Sequence, residues 1–176
     1  MPESSVPDQI DLERHRDRVG RDRAVWLRRS LVIALLAIVC LALANVFGQR
    51  ASTSNARSPA GSLSVRGPTN LRGGLVYETR FEIRARETLR NAYLLLGRDW
   101  LDGMTLNELE PAPSNETSAD GSLKLSLGRI PAGHVFIEFA AMQVNPTTVA
   151  RRTIDFSLLD SRRRLATVRR TITVFP

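Results

Sequence analysis

Cysteine, lysine and histidine are almost missing from this chain. Cys40 is the only cysteine and lies inside an apolar run, so the rest of the polypeptide cannot close an internal disulfide and must be held by packing. Lys124 is the only lysine among 25 basic side chains, a skew toward arginine that reads as the mark of a GC-rich, bacterial genome. The two histidines are His15, near the N-terminus, and His134, beside a glycine in a turn. A metal centre needs several converging His, Cys, Asp or Glu ligands, and none is spaced for one. Aromatic residues make up only 6% of the chain and none accompanies the arginine clusters, so the stacking platform of a single-strand nucleic-acid binder is missing and nucleic acid is not an expected partner. There is no Gly-x-Ser-x-Gly elbow, no phosphate loop and no Cys/His pair outside the apolar run. The paired carboxylates Asp99/Asp102 and Glu108/Glu110 read as solvated charges rather than an acid–base pair. No enzyme activity and no cofactor are expected.

What the chain does have is one long apolar run. Leu31 to Ala44 is uninterrupted, and Val46 and Phe47 extend it past Asn45. A helix of about 17 to 19 residues at 1.5 Å per residue is roughly 26 to 28 Å long, close to the hydrocarbon thickness of a bilayer. Eleven of its residues are Leu, Ile, Val or Phe, which outweighs one asparagine near the end. Two processing signals compete with a permanent span. Ala42-Leu43-Ala44 has the small-x-small form of a signal-peptidase site, and Arg28-Arg29-Ser30-Leu31-Val32 resembles a twin-arginine signal. The run is longer than a signal h-region of about 7 to 15 residues, which favours retention, with a secreted domain after cleavage near Ala44 as the alternative. Val39 is too bulky for Cys40 to be a lipoprotein acceptor.

Flanking cations set the orientation. Arg14, Arg16, Arg18, Arg21, Arg23, Arg28 and Arg29 precede the run, against Arg50, Arg57 and Arg66 after it, so the N-terminus is expected inside and the C-terminal part extracytoplasmic. Trp26 suits the membrane interface. The expected organisation is a disordered, Arg-rich cytoplasmic tail over residues 1–29, a transmembrane helix over 30–48, a flexible Ser/Ala-rich linker over 49–62 and a folded domain over 63–176.

From Leu63 the hydrophobic period changes to two. In "LVYETRFEIRAR" Leu75, Tyr77, Thr79, Phe81, Ile83 and Ala85 point one way, and Glu78, Arg80, Glu82, Arg84 and Arg86 the other. Further strands are expected at 63–66, 89–96, 104–109, 123–127, 135–144, 153–159 and 165–175, separated by Asp102-Gly103, Asp120-Gly121, "RIPAGH" and "DSRR". Seven or eight short strands at turn intervals of about 8 to 12 residues predict an all-β, antiparallel β-sandwich. Val135 to Val144, apolar on both faces apart from Glu138 and Gln143, is expected to be central. Glu138 then needs a partner, for which an arginine is the natural choice.

"RDWLDGMTL" followed by "SLGRIPAGHVFIEFAAMQV" resembles the bacterial immunoglobulin-like domains of repeat-built surface and adhesion proteins, through Asp99, Leu101, Gly103, Met104, Leu127, Gly128, Ile130, Pro131, Ala132 and Gly133. The resemblance implies an Ig-like sandwich and marks scaffold positions, not catalytic ones. The chain departs from it in having Asp102 where those domains carry a proline-containing turn, and a single copy rather than an array. The whole chain, with "QVNPTTVARR" and "RRTITVFP", is also similar to short single-pass membrane proteins of actinobacteria.

The candidate site is electrostatic. Arg151, Arg152, Arg162, Arg163, Arg164, Arg169 and Arg170 fall on the expected last hairpin, in an outer part where 18 basic side chains oppose 12 acidic ones. A field of this sign attracts anionic partners, although charged outer faces also keep edge strands from aggregating. Two functions follow: a membrane-anchored module packing beside an integral membrane protein in an envelope complex, or a receptor-like domain binding an anionic envelope polymer or lipid headgroups through those arginines.

Overall fold

The computed structural model describes residues 21–44 and 49–176. The chain separates into two compact units, 1–46 and 47–176.

In the first unit the helix α1 runs Arg21–Leu43. Its segment Arg23–Leu43 is long and apolar enough to cross a membrane, a property that membrane spans and signal sequences share. Leu27, Leu31, Ile33, Leu36, Ile38 and Leu43 are all exposed on this helix. The helix starts earlier than residue 30, because Arg21 to Ser30 contains no proline or glycine and continues the helical pattern into the expected tail. The Arg29 guanidinium lies 6.0 Å from the centre of the Trp26 ring. Residues 1–20 of that tail, with Arg14, Arg16 and Arg18, and residues 45–48 of the expected span lie outside the described residues.

The second unit is a two-sheet β-sandwich of eleven strands: β1 (Ala51–Arg57), β2 (Gly61–Pro68), β3 (Asn70–Arg72), β4 (Val76–Ala85), β5 (Leu89–Leu96), β6 (Met104–Glu110), β7 (Asn115–Ala119), β8 (Ser122–Ile130), β9 (Val135–Val144), β10 (Ala150–Asp160) and β11 (Arg163–Phe175), with a four-residue helix α2 (Arg98–Leu101) between β5 and β6. One sheet has the order β1-β2-β4-β9-β6 and the other β3-β11-β10-β5-β8-β7. All pairings are antiparallel except β3 with β11.

The two-sheet antiparallel architecture expected from the periodicity is present, with three strands more than the pattern revealed. Ala51–Arg57, read as part of a linker, pairs along its whole length with β2. Its inward residues are Ser52, Ser54 and Ala56, too small and polar to produce an alternating hydrophobic signal. β7, "NETSA", is an edge strand exposed at every position, and β3 is only three residues long. These edges are short or polar, which discourages pairing with another chain.

Alternate residues of the strands meet between the sheets. Leu63, Phe81, Ile83, Leu94, Leu96, Leu125, Met142, Phe156 and Leu158 are fully buried. α2 supplies the keystone: Trp100 is completely covered and packs edge-on against Phe81 and Phe156, with centroids 5.8 and 5.2 Å away, while those two phenylalanines are 5.1 Å apart. Aromatic triads of this T-shaped kind add about 0.5–1.5 kcal/mol per pair beyond the area they bury. The indole N–H donates to the Tyr77 hydroxyl at 3.2 Å, and that hydroxyl donates to Met104 Sδ at 2.9 Å. Burial pushes the Tyr77 phenol well above its ordinary range, so it stays protonated.

Of the scaffold positions picked out by the Ig-like resemblance, Met104, Leu127 and Ile130 lie in strands and the glycines mark bends. Asp99 and Leu101 lie on α2, and Gly103 turns into β6 with φ +67°. A Cβ there would lie 2.7 Å from the Thr148 hydroxyl, so glycine is required on both counts. Gly128, φ +72°, sits where the β5–β8 register shifts, and Gly133, φ +81°, closes the turn before β9.

Candidate interaction surface

Strand parity separates the seven arginines. On β10 and β11, Ile154, Phe156, Leu158, Val168 and Ile172 face the interior, so every second position between them faces out. Arg152 and Arg170 have the inward parity, and Arg151 and Arg169 the outward one.

Arg170 is 5% exposed and is no partner-binding residue. Its guanidinium reaches across the open side of the sandwich. It donates to the carbonyls of Gly67 (2.7 Å), Ser52 (3.2 Å) and Val65 (3.3 Å) and to the Ser52 hydroxyl (2.8 Å), clasping β11 to β1 and β2. Burial lowers its pKa, and the nearby Tyr77 works in the opposite direction. Arg152 is also spent internally: it donates to the Asp102 carboxylate (2.9 Å) and to the carbonyls of Asp102 (2.6 Å) and Asp99 (3.3 Å), holding the end of α2. Arg169 pairs with Asp155 directly across the ladder, at 3.0 and 3.3 Å, and this raises its pKa. Arg151 is exposed, but it lies nine residues up β10 from the hairpin tip, roughly 30 Å at about 3.3 Å per residue. The seven therefore do not form one site.

Arg162, Arg163 and Arg164 do stand together, exposed, at the β10–β11 turn. That turn is fastened to β5: Asn91 N–H donates to the Asp160 carboxylate (2.9 Å), Ser161 N–H donates to the Asn91 carbonyl (2.8 Å), and Ser161 takes a left-handed φ of +56°. Asp160 is held by the Asn91 backbone and makes no ion pair with these arginines, so its single charge opposes three.

Register brings further cations to this end. Ala92 is opposite both Asp160 and Gly128, and Leu89 is opposite Ile130, which places Arg90 and Arg129 beside the turn. Arg86 N–H donates to the Ala60 carbonyl and Gly133 N–H to that of Ala85, so the β4–β5 connection lies there too. Arg86, Arg90, Arg129, Arg162, Arg163 and Arg164 are exposed at one pole, with Glu87 and Asp160 the acids among them. The sequence reading missed Arg86, Arg90 and Arg129, which are isolated along the chain and gathered only by pairing. His134 lies at the same pole, its Nδ1 3.3 Å from the Ala132 carbonyl in the turn.

Glu138 is the anomaly. It lies on the inward face of β9 directly opposite Phe81, is 0% exposed, and neither carboxylate oxygen has a hydrogen-bond partner. Among the described residues no arginine pairs with it, and the arginines of neighbouring β4 have outward parity. Burial, with a smaller contribution from Glu116, pushes its carboxyl up to about 7. Of the other carboxylates, Glu108 and Glu110 are exposed on β6, and Asp102 is bound by Arg152. Among the described residues no group of three His, Cys, Asp or Glu side chains converges as a metal site.

No protein-family model matches the chain, and no curated protein matches it in sequence. Among solved structures, a non-cellulosomal cohesin from the hyperthermophilic archaeon Archaeoglobus fulgidus aligns over 71% of this chain and 92% of its own, with 11% identity and a TM-score of 0.37. A GH20 exo-β-N-acetylglucosaminidase from Vibrio harveyi aligns over 57% of this chain and 16% of its own, with 14% identity and a TM-score of 0.28. Overlap this low assigns neither a family nor an activity.

Proposed function

We propose that the chain is a single-pass, membrane-anchored interaction module: α1 is an uncut span, and the sandwich is an extracytoplasmic, Ig-like accessory domain that docks on an integral membrane protein or envelope complex. The observation that carries this reading is the 21-residue apolar helix with its large side chains uncovered, on a chain whose remaining described residues build a sandwich with a core of its own. The length of this apolar surface matches the hydrocarbon thickness of a bilayer. The test is alkaline carbonate extraction of membranes bearing the full chain, with intact-mass measurement. The uncut chain is expected in the pellet; a soluble product beginning near Asn45 would establish the secreted alternative instead.

A second reading, binding of an anionic envelope polymer or of lipid headgroups, is favoured by the basic pole. The contact residues would be Arg162, Arg163 and Arg164 with Arg86, Arg90 and Arg129, and Arg151 would take no part. With the full chain in nanodiscs and polyphosphate as probe, reversing Arg162, Arg163 and Arg164 to Glu should weaken retention by at least about tenfold at low salt, and added salt should release the unaltered chain. Equal retention of both proteins would remove this reading.

A further inference from the structure

The outward face of the β1-β2-β4-β9-β6 sheet carries a second basic feature, distinct from the hairpin pole and independent of how the chain is anchored. Across the ladder, Thr53 is opposite Arg66, Arg66 opposite Arg80, and Arg80 opposite Phe139, so two guanidinium side chains stand side by side on neighbouring strands. Like charges directly opposed in a sheet repel each other. In the next row Asn55, Ser64, Glu82 and Ile137 are in register. Thr53, Ser64, Arg66, Arg80 and Glu82 line a cavity of about 170 Å³, room for a group of several non-hydrogen atoms.

The two arginines are held differently. Arg80 is fixed: its Nη2 donates to Glu82 at 3.1 Å, and its guanidinium carbon is 5.9 Å from the centre of the Phe139 ring. Its Nε–H is buried and has no acceptor. Glu82 does not neutralise the pair, since its other oxygen is taken by Arg84 at 3.4 Å. Arg66 is exposed and makes no hydrogen bond or ion pair within the described residues, and the hydroxyls of Thr53 and Ser64 are likewise unengaged. One anchored guanidinium, one free guanidinium and two spare hydroxyl donors line one small cavity, whose only carboxylate, Glu82, is shared between Arg80 and Arg84.

We infer that this cradle binds a single oxyanion group, a phosphate or a carboxylate, between Arg66 and Arg80, with Thr53 and Ser64 as additional donors. Such a group would take charge-assisted hydrogen bonds from both arginines and relieve their repulsion. The bond to Glu82 sets the Arg80 plane, and Arg66 swings to complete the clamp.

The test uses the full chain in non-ionic detergent, with thermal stability followed as phosphate, sulfate or acetate is titrated at ionic strength held constant with chloride. A saturable rise above the chloride baseline is expected, because a ligand of the folded state alone stabilises it by mass action. Arg66→Gln should weaken the apparent affinity about tenfold; because it also removes the like charge opposite Arg80, its starting stability is expected to be equal or slightly higher, and the response of each protein is read against its own chloride baseline. Arg66→Lys should recover part of the response. The variant Arg162→Gln/Arg163→Gln/Arg164→Gln should respond as the unaltered chain does, which separates this site from the basic pole. A stronger response to phosphate than to acetate assigns a phosphate ligand, and the reverse a carboxylate. No response beyond chloride, an unchanged response in Arg66→Gln, or a response lost only in the hairpin variant would each overturn the inference.

Discussion

Replacing Glu138 by Gln tests the most unusual group in the core. The carboxyl is fully buried without a partner, and its pKa is raised from 4.5 to about 7. The sign follows from linkage. Between those two values Glu138 holds its proton in the folded protein more than in the unfolded one, so the contribution of this group to stability is fully present below about pH 4.5, is lost as pH rises toward 7, and is level above that. At about 1.36 kcal/mol for each pH unit of that window, the contribution is at most on the order of 3 kcal/mol. Glutamine has nearly the same shape and cannot ionise. At pH 4 the variant and the unaltered protein should therefore unfold at similar temperatures, while at pH 8 the variant should be the more stable by about 3 kcal/mol, on the order of 10 °C for a domain of this size. The assay is the near-ultraviolet dichroism melt of the full chain in detergent across that pH range, taking the difference between the two proteins so that other titrating groups cancel. A difference that is the same at pH 4 and pH 8 would refute the reasoning and place an uncounted partner on the carboxylate.

Two further substitutions probe what holds the sheets together. Arg170→Met should cost about 3 kcal/mol in a denaturant titration of the full chain, because it leaves the Gly67, Ser52 and Val65 carbonyls without their shared donor; a loss under about 1 kcal/mol would show that the clasp is unimportant. Trp100→Ala should cost about 3–5 kcal/mol in the same titration and expose Phe81 and Phe156, and a small loss would mean that α2 is peripheral to the core.

The sandwich was legible wherever strands bury large residues on alternate positions, as β4 does with Tyr77, Phe81 and Ile83. β1 escaped because its inward side chains are serine and alanine, of which Ser52 accepts Arg170 and Ala56 adds only a methyl group to the edge of the core. The same parity could have sorted the arginines. Arg170 lies between Val168 and Ile172 on the apolar side of β11, so its burial was available in the pattern, whereas treating Arg169-Arg170 as one cluster concealed it. The basic pole was visible only as Arg162 to Arg164. Arg86, Arg90 and Arg129 join it through registers that no single segment encodes, and the Arg66–Arg80 pairing is hidden for the same reason.

The central claim, an uncut helix tethering a sandwich on the outer side of a membrane, is tested most directly by tagging both ends of the full chain and treating intact cells with an impermeant protease. One full-length species carrying both tags is expected, of which only the C-terminal tag is removed. A C-terminal tag that stays protected until the cells are lysed, or one found on a chain already severed from the N-terminal tag, would contradict it.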